Sequence, residues 1–239
     1  MNQLQDALNG LLKKYDLKPD GSLNILPGWS FFNKQVEEKD IPVFPWRMNR
    51  KFVELQKIIS GNVVEHACML RFCCLTDEHT DLPALLYREF DLCEYIGQSR
   101  IQSLHATFTD GRGGNVIVKL ENGIIGSVEI GNLLPAGSEM IDRHEIIARR
   151  GVASDLVVDT QIPQKSVYMY TDKGETGYKD TDNELFGLKE IEIEWVRSAF
   201  EFLKNPHGLP VHLNRHEHLS SLIHAALESD RECRKIEVN

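Results

Sequence analysis

The 239-residue chain predicts an α+β fold: a large, mostly antiparallel β-sheet, open-faced, with helices packed on one face. Three observations predict it. Runs rich in Val, Ile, Thr and Phe follow one another from residue 101 to 171, with hairpin-like connections. In "NVIVKLENGIIGSVEIGNLLPAG" (115–137), apolar and polar residues alternate on both sides of Asn122-Gly123. That dipeptide is the strongest short hairpin signal, read as a type I′ turn with positive φ at both positions. Helical periodicity appears before and after this block of strands.

The elements follow in order. Leu4, Ala7, Leu8, Leu11 and Leu12 recur at helical spacing, and Pro19-Asp20-Gly21 ends that helix with a turn. Residues 22 to 46, with "LNILPGWSFFNKQ" and "IPVFPW", read as irregular or short extended pieces. A helix from Met48 carries Phe52, Leu55, Ile58 and Ile59 on one face, stopped by Gly61 as a left-handed cap. A strand spans about 63–74. The polar connection "TDEHTDLP" leads to a second helix, with Leu85, Leu86, Phe90, Cys93 and Ile96, stopped by Gly97. Strands follow at about 101–109, 115–121, 124–131, 144–149, 154–159 and 165–171. Residues 172 to 187 read as a polar, mobile loop. Helices at about 188–204 and 214–229 come next, with Ile191, Trp195, Ala199, Phe202 and Leu203 as the buried stripe of the first. A short strand, Lys235 to Val238, closes the chain. The division is therefore residues 1–46, a helix and an irregular segment, and residues 47–239, the α+β domain.

Composition excludes several classes. Lys and Arg number 27 against 36 Asp and Glu, a net charge of −9. That balance argues against nucleic acid and anionic membranes as partners. No apolar run approaches the ~20 residues of a membrane span. The first residues lack the pattern of a secretory signal. Cys68, Cys73, Cys74, Cys93 and Cys233 make an odd count without metal spacing, which reads as free thiols in a reducing cytoplasm. Val116 and Val118 alternate with Ile117, and Ile124 sits beside Ile125, so both faces of the sheet are partly apolar. A second apolar face has to be buried, and a homo-oligomer formed through it is the expectation.

The ordered pieces "FPWRMNRKFVELQKIISGNVVEHACMLRF", "REFDLCEYIGQ", the 115–137 hairpin with its Pro-Gly loop, "RHEIIARRG" and "HLNRHEHLSSLIHAALESDRECRKIEV" resemble the C-terminal domain of the Gfo/Idh/MocA oxidoreductases. The resemblance covers about residues 43 to 238. It implies a sugar or polyol dehydrogenase whose NAD or NADP is held by a separate Rossmann domain, and a sugar-like small molecule as partner. In that family a His, one turn after an Asp, serves as acid/base near the start of the "H-x-x-D" helix. Counting back from Asp91 puts Arg88 at the His position and Ala84 at the Asp position. Arginine stays protonated and is a poor general base, and alanine has no proton to move. Asp91 matches the motif and is read as structural. Arg88, Glu89, Asp91 and His105 are the candidate substrate-binding residues, by their place in the motif. The alternative for Arg88 and Glu89 is a pair of surface ion pairs.

No residue is assigned to a cofactor or a metal. Gly111-Arg112-Gly113-Gly114 lacks a third glycine and lies between strands, so it reads as a hairpin turn rather than a phosphate cradle. The family's Glu-Lys-Pro segment does not occur. His212 and His216 are four apart, but Pro210 and Asn214 place the helix start after His212, and the group reads as a solvated helix start. "DEHTD" (77–81), with His79, reads as a solvated loop, and His224 as a hydrogen-bonded core histidine. Trp29, Phe31 and Phe32 would cover the open sheet edge or plug a groove. A fragment of a longer dehydrogenase and a degenerate stand-alone form remain open, as does a non-catalytic oligomerisation or sugar-binding module. An unrelated hydrolase lacks its nucleophile elbow.

Overall fold

A computed structural model describes residues 2–18, 23–149, 151–155, 167–171, 174–178 and 183–238. Its elements are α1 (Asn2–Lys14), β1 (Asn24–Pro27), β2 (Asp40–Val43), α2 (Arg50–Ser60), β3 (Ala67–Asp77), α3 (Leu82–Gly97), β4 (Ile101–Thr109), β5 (Gly113–Leu120), β6 (Ile125–Leu134), β7 (Ile141–Ala148), β8 (Gly151–Ser154), β9 (Val167–Thr171), β10 (Gly174–Tyr178), α4 (Glu190–Lys204), α5 (Leu209–Glu232) and β11 (Ile236–Glu237). Single 3-10 turns at Gly28–Phe31 and Pro45–Met48 flank β2.

Seven strands form the main sheet in the order β11-β4-β5-β6-β3-β7-β8. Every pairing in it is antiparallel except β3 with β6. Register separates the two faces. Leu104, Val118, Gly126, Leu70 and Ile146 form one cross-strand row, and all are buried. The adjacent row, His105, Ile117, Ser127, Arg71 and Glu145, points the other way. Here Ile117 is 43% exposed, and in the next outward row Ile125 is 46% and Val152 60% exposed. No described helix packs on that side. The expected open-faced α+β sheet is the observed one.

The buried face packs against α2, α3 and α5 through Phe52, Leu86, Phe90, Ile96, Leu219, Leu222 and Ile223. Each such fully buried side chain contributes about 1.5–3 kcal/mol relative to exposure. Gly126 is glycine for space within the sheet: a Cβ there would meet Val118 Cγ2 of the neighbouring strand at 2.5 Å, with Cys93 Sγ of α3 at 3.5 Å. A second core forms away from the sheet. Leu8 and Leu11 of α1, Ile25, Ile41 and Val43 of the parallel β1–β2 pair, and Val196, Ala199 and Phe202 of α4 share it. It joins residues on both sides of position 46.

Several local expectations are corrected. Asn122-Gly123 is not a type I′ turn. Only Gly123 has positive φ, and Gly123 N–H donates to Leu120 O while Leu120 N–H donates to Ile124 O. That is a type I turn closed by a left-handed glycine, the longer hairpin solution. Asn122 keeps negative φ because its side chain is engaged, donating to Gly97 O and accepting from Ile124 N–H. The double positive φ occurs instead at Asp110-Gly111, with Arg112 N–H donating to Thr109 O, in the β4–β5 turn.

Helix stops also shift by one residue. Gly61 has φ −86°, and Asn62 takes the left-handed conformation; likewise Gln98 rather than Gly97. Gly97 is glycine for space, since a Cβ would lie 2.5 Å from Leu120 Cδ2. Helix α5 begins at Leu209, with Pro210 inside its first turn, so His212 is helical. In α4 the buried positions are Val196, Ser198, Ala199 and Phe202, whereas Ile191 is 59% exposed. Ala199 and Phe202 of the expected stripe are buried, and Trp195 and Leu203 pack against the same core, which α4 shares with α1 and β2; Ile191 alone falls outside it. Within the expected loop 172–187, residues 174–178 pair with β9. The expected strand at 165–171 is observed as β9 from Val167 to Thr171, whereas Pro19-Asp20-Gly21 and residues 156–159 lie outside the described residues.

Candidate functional site

Helix α3 starts after Asp81 with Pro83 in its first turn, which fixes the phase of every later residue. Phase and the inward parity of β7 then decide which polar groups meet. Arg88 and Glu89 meet Asp142 and His144, which alternate along β7 and both face the helices.

The Arg88 guanidinium grips Asp142 at two points: Nη1 donates to Oδ1 at 2.8 Å and Nη2 to Oδ2 at 2.9 Å. Nη1 also donates to Glu89 Oε1. Lys51, from α2, reaches Asp142 Oδ2 at 2.5 Å and Asp155 Oδ2 at 3.4 Å. His144 is fully buried, edge-on to Phe52 and Phe72 with ring centroids 4.7 Å away. Its Nε2 faces Glu89 Oε2 at 3.0 Å, and its Nδ1 faces Asp155 Oδ2 at 3.2 Å.

Two fixed cations, Lys51 and Arg88, thus meet three carboxylates, Glu89, Asp142 and Asp155. A proton on His144 balances the group, and both ring N–H groups then donate. Burial opposes that proton, but the Glu89 charge and the hydrogen bonds to Asp155 and Glu89 hold the imidazole above its ordinary pKa. Burial raises the Asp142 carboxyl, yet Arg88, His144 and Lys51 hold it far below its usual range. Asp155 is lowered likewise, with His144 and Lys51 outweighing burial. At the rim, Glu194 of α4 accepts from Asn49 Nδ2 at 2.7 Å, and its burial pushes its pKa up to about 7.

This arrangement cannot work as the motif's acid/base pair. Arg88 is 11% exposed and fully engaged, and both His144 nitrogens are spoken for. The ion pairs of Arg88 and Glu89 are buried, not on the surface. The charge and phase of Arg88 create the difference: it carries its head group inward to the sheet, where Asp142 was not foreseen.

The four candidate residues do not form one site. Asp91, fully buried, accepts from Trp46 Nε1 at 2.7 Å, from Arg47 Nε at 2.8 Å and Nη2 at 2.6 Å, and from Arg215 Nε at 2.7 Å. The two guanidiniums outweigh burial and keep it ionised. It is a structural anchor with no oxygen left for a ligand. His105 lies on the outward face opposite Ile117, across the sheet from Arg88 and Glu89. Strand parity puts it there. Ala84 sits in the first turns of α3, without a side chain that could act.

The other histidines are dispersed. His212 Nδ1 donates to Pro42 O at 2.8 Å, His216 Nδ1 is 3.0 Å from Tyr87 Oη, and His218 Nε2 is 2.9 Å from Glu94 Oε1. Burial lowers the pKa of His212 and His216. They share a helix yet face different partners. His224 is exposed beside Phe32, rather than in the core. The loop from Asp77 is tied down, since Asp77 accepts from His79 N–H and Gly137 N–H. Trp29 stacks on Trp46 at 5.0 Å, and Phe31 meets His216, so these aromatics pack in the helical layer instead of on the sheet edge.

Cys74, Glu89 and Asp142 place ligand atoms within 4.8 Å of one another. Arg88 Nη1 already stands among them, 3.6 Å from Cys74 Sγ and 2.8 Å from Asp142. The guanidinium occupies the cation's place. For a dinucleotide, Gly111 to Gly114 join β4 to β5, and the turn from β3 into α3 is Glu78-His79-Thr80-Asp81, without glycine and with two carboxylates. Neither segment offers a glycine-rich strand-to-helix turn for a pyrophosphate. Lys51, Asp142, His144, Asp155 and Glu194 were not picked out from sequence. Asp142 and His144 left a signal, two polar residues at inward parity in a strand, but no pattern links them to Arg88.

No protein-family model and no curated protein matches the chain. Solved structures do. A probable dehydrogenase from Thermotoga maritima superposes with TM-score 0.59 at 18% identity, over 81% of this chain and 63% of its own. A putative myo-inositol dehydrogenase from Sinorhizobium meliloti gives 0.59 at 16%, over 84% and 66%. The scyllo-inositol dehydrogenase of Lactobacillus casei, solved with NAD(H) and scyllo-inositol, gives 0.59 at 11%, over 86% and 65%. The chain therefore spans about two thirds or less of the length of these structures. At these identities the likeness shows the fold.

Proposed function

We propose that this chain is the sheet-bearing, C-terminal part of a sugar or polyol dehydrogenase-type protein, as in the Gfo/Idh/MocA oxidoreductases, and does not bind NAD(P) by itself. One observation supports this reading: Arg88, which the resemblance puts at the acid/base position, is held on two points by Asp142. A guanidinium so engaged neither accepts nor releases a proton. What the chain's residues do is scaffold work. Lys51, Arg88 and His144 tie α2, α3 and β7 together, and the aromatics of residues 29–46 seal the helical layer. Any NAD or NADP would be bound by a domain this sequence does not contain. The open sheet face would join a second copy of the chain. In the second reading the module only oligomerises or binds a sugar-like molecule, and the same Arg88 lock favours it.

Calorimetry with NAD(H) and NADP(H), with oligomeric mass recorded in the same buffer, tests the proposal. No binding together with a stable dimer is the expected result. Micromolar binding by the chain overturns it. The paired variant Ile125→Lys/Val152→Lys is expected to shift the mass to monomer while the far-UV spectrum stays unchanged.

A further inference from the structure

A shallow, open depression of about 240 Å³ lies beside the C-terminal end of α3, lined by Arg47, Glu94, Tyr95, Ser99, Arg100 and Arg215. It shares no lining residue with the Arg88 cluster. Three guanidiniums converge on it in a chain whose net charge is −9. Against them stand Glu94 on the lining and Asp91 behind it, which leaves a surplus of one positive charge.

Both carboxylates are already committed. Glu94 Oε1 accepts from Ile101 N–H at 2.6 Å and meets His218 Nε2, while Oε2 accepts from Arg215 Nη1. Asp91 is enclosed by Arg47 and Arg215, as described above. The donors are not exhausted. Arg47 uses Nε and Nη2 on Asp91, which leaves Nη1. Its guanidinium is held 4.9 Å from the Tyr95 ring centroid and 5.1 Å from that of Phe44. The exposed Arg100 side chain has no acceptor among the described residues. Ser99 Oγ accepts from Asn122 N–H at 3.1 Å and keeps its own proton to donate. A helix C-terminus ordinarily repels an anion, but two of its last carbonyls are masked here: Gln98 Nε2 donates to Tyr95 O and Asn122 Nδ2 to Gly97 O.

We infer that this depression is a binding site for a phosphate group, free or as a small phosphomonoester, with Arg47, Arg100 and Ser99 donating to its oxygens. Several planar guanidiniums around one open depression suit a multiply charged oxyanion better than a single carboxylate. The site is independent of the dehydrogenase-type reading and lies apart from the position that reading concerns.

The test titrates inorganic phosphate and glycerol 3-phosphate into the whole chain at constant ionic strength, followed by calorimetry and ³¹P line width. Arg100→Ala is the variant, since Arg47 and Arg215 also hold Asp91. Saturable binding that weakens about tenfold in Arg100→Ala, and only partly in Arg100→Lys, is expected. The melting temperature without ligand should stay unchanged in both. Tighter binding of glycerol 3-phosphate than of phosphate would identify a phosphomonoester as the natural ligand, and equal binding the free anion. No saturable binding of either, or equal binding by Arg100→Ala, overturns the site.

Discussion

Helix α3 carries two buried charge centres with opposite characters. Around Asp91, the principal cations are arginines, Arg47 and Arg215, and the acceptor is fully enclosed. Asp91 itself stays ionised, held there by the two guanidiniums. Around Arg88, one turn earlier, the balance depends on His144, which can lose its proton, and Glu194 stands at the rim with a pKa of about 7. The first centre is a permanent clamp joining α3, α5 and the Pro45–Met48 turn. The second is a clamp whose charge depends on pH. The same fold element thus holds a rigid anchor and a titratable one, and the partner side chains decide which is which.

The largest effect should come from the rigid centre. Asp91→Ala leaves two guanidiniums and the Trp46 N–H without their acceptor and should cost about 3–5 kcal/mol. For a chain of this size that is on the order of 10 °C in melting temperature. A loss under 1 kcal/mol in urea denaturation would end the description of Asp91 as an anchor. Arg88→Met should cost somewhat less, about 2–4 kcal/mol, because Lys51 and His144 still face Asp142 and Glu89. Adding Asp142→Asn should recover part of that loss. Strict additivity in the double-mutant cycle would show that Arg88 and Asp142 are not coupled.

The pH dependence separates the centres. His144 is raised in the folded state, so its contribution is full below its unfolded value of about 6.5 and disappears as pH rises through the folded value. Glu194 is raised too, to about 7, so folding loses stability as pH climbs from its ordinary range past neutrality. Asp142 and Asp155 are lowered, and their contribution is present above about pH 4 and lost on further acidification. Stability should peak near pH 5–6 and fall by about 1–2 kcal/mol toward pH 8. Glu194→Gln should flatten part of that fall in denaturation measured across the range, and an unchanged slope would count against Glu194 as a titrating group. The smallest effect belongs to His105→Ala, within about 0.5 kcal/mol on monomer stability, because the residue is exposed and apart from both centres.

Sequence periodicity made the fold legible because burial in a strand alternates strictly and burial in a helix repeats each turn. Leu85, Leu86, Phe90, Cys93 and Ile96 fixed the inner face of α3, and alternation from 115 to 131 fixed the sheet register. Local turns were less legible. Asn122 looked like a left-handed residue, but its side chain is drawn to Gly97 O, a contact that exists only after α3 has packed. The α4 stripe was legible at Trp195, Ala199, Phe202 and Leu203 and failed at Ile191, because the helix packs on α1 and β2 rather than on the main sheet.

The composition and patterning of the chain determined an acidic, mixed sheet-and-helix domain, and its residue order placed Arg88 and Ala84 three and seven positions before Asp91. Those properties are local, carried by each residue's chemistry and by the period of its own segment. Only the tertiary structure decided that Arg88 is neutralised by Asp142 and that His144 is enclosed by Glu89 and Asp155. It also decided that His105 faces away and that Arg47, Arg100 and Arg215 share one depression. Apart from His144 with Asp155, 11 positions apart, these pairings join residues about 50 to 170 positions apart, and a Coulomb energy depends on the final distance and burial of both partners, which no single segment specifies.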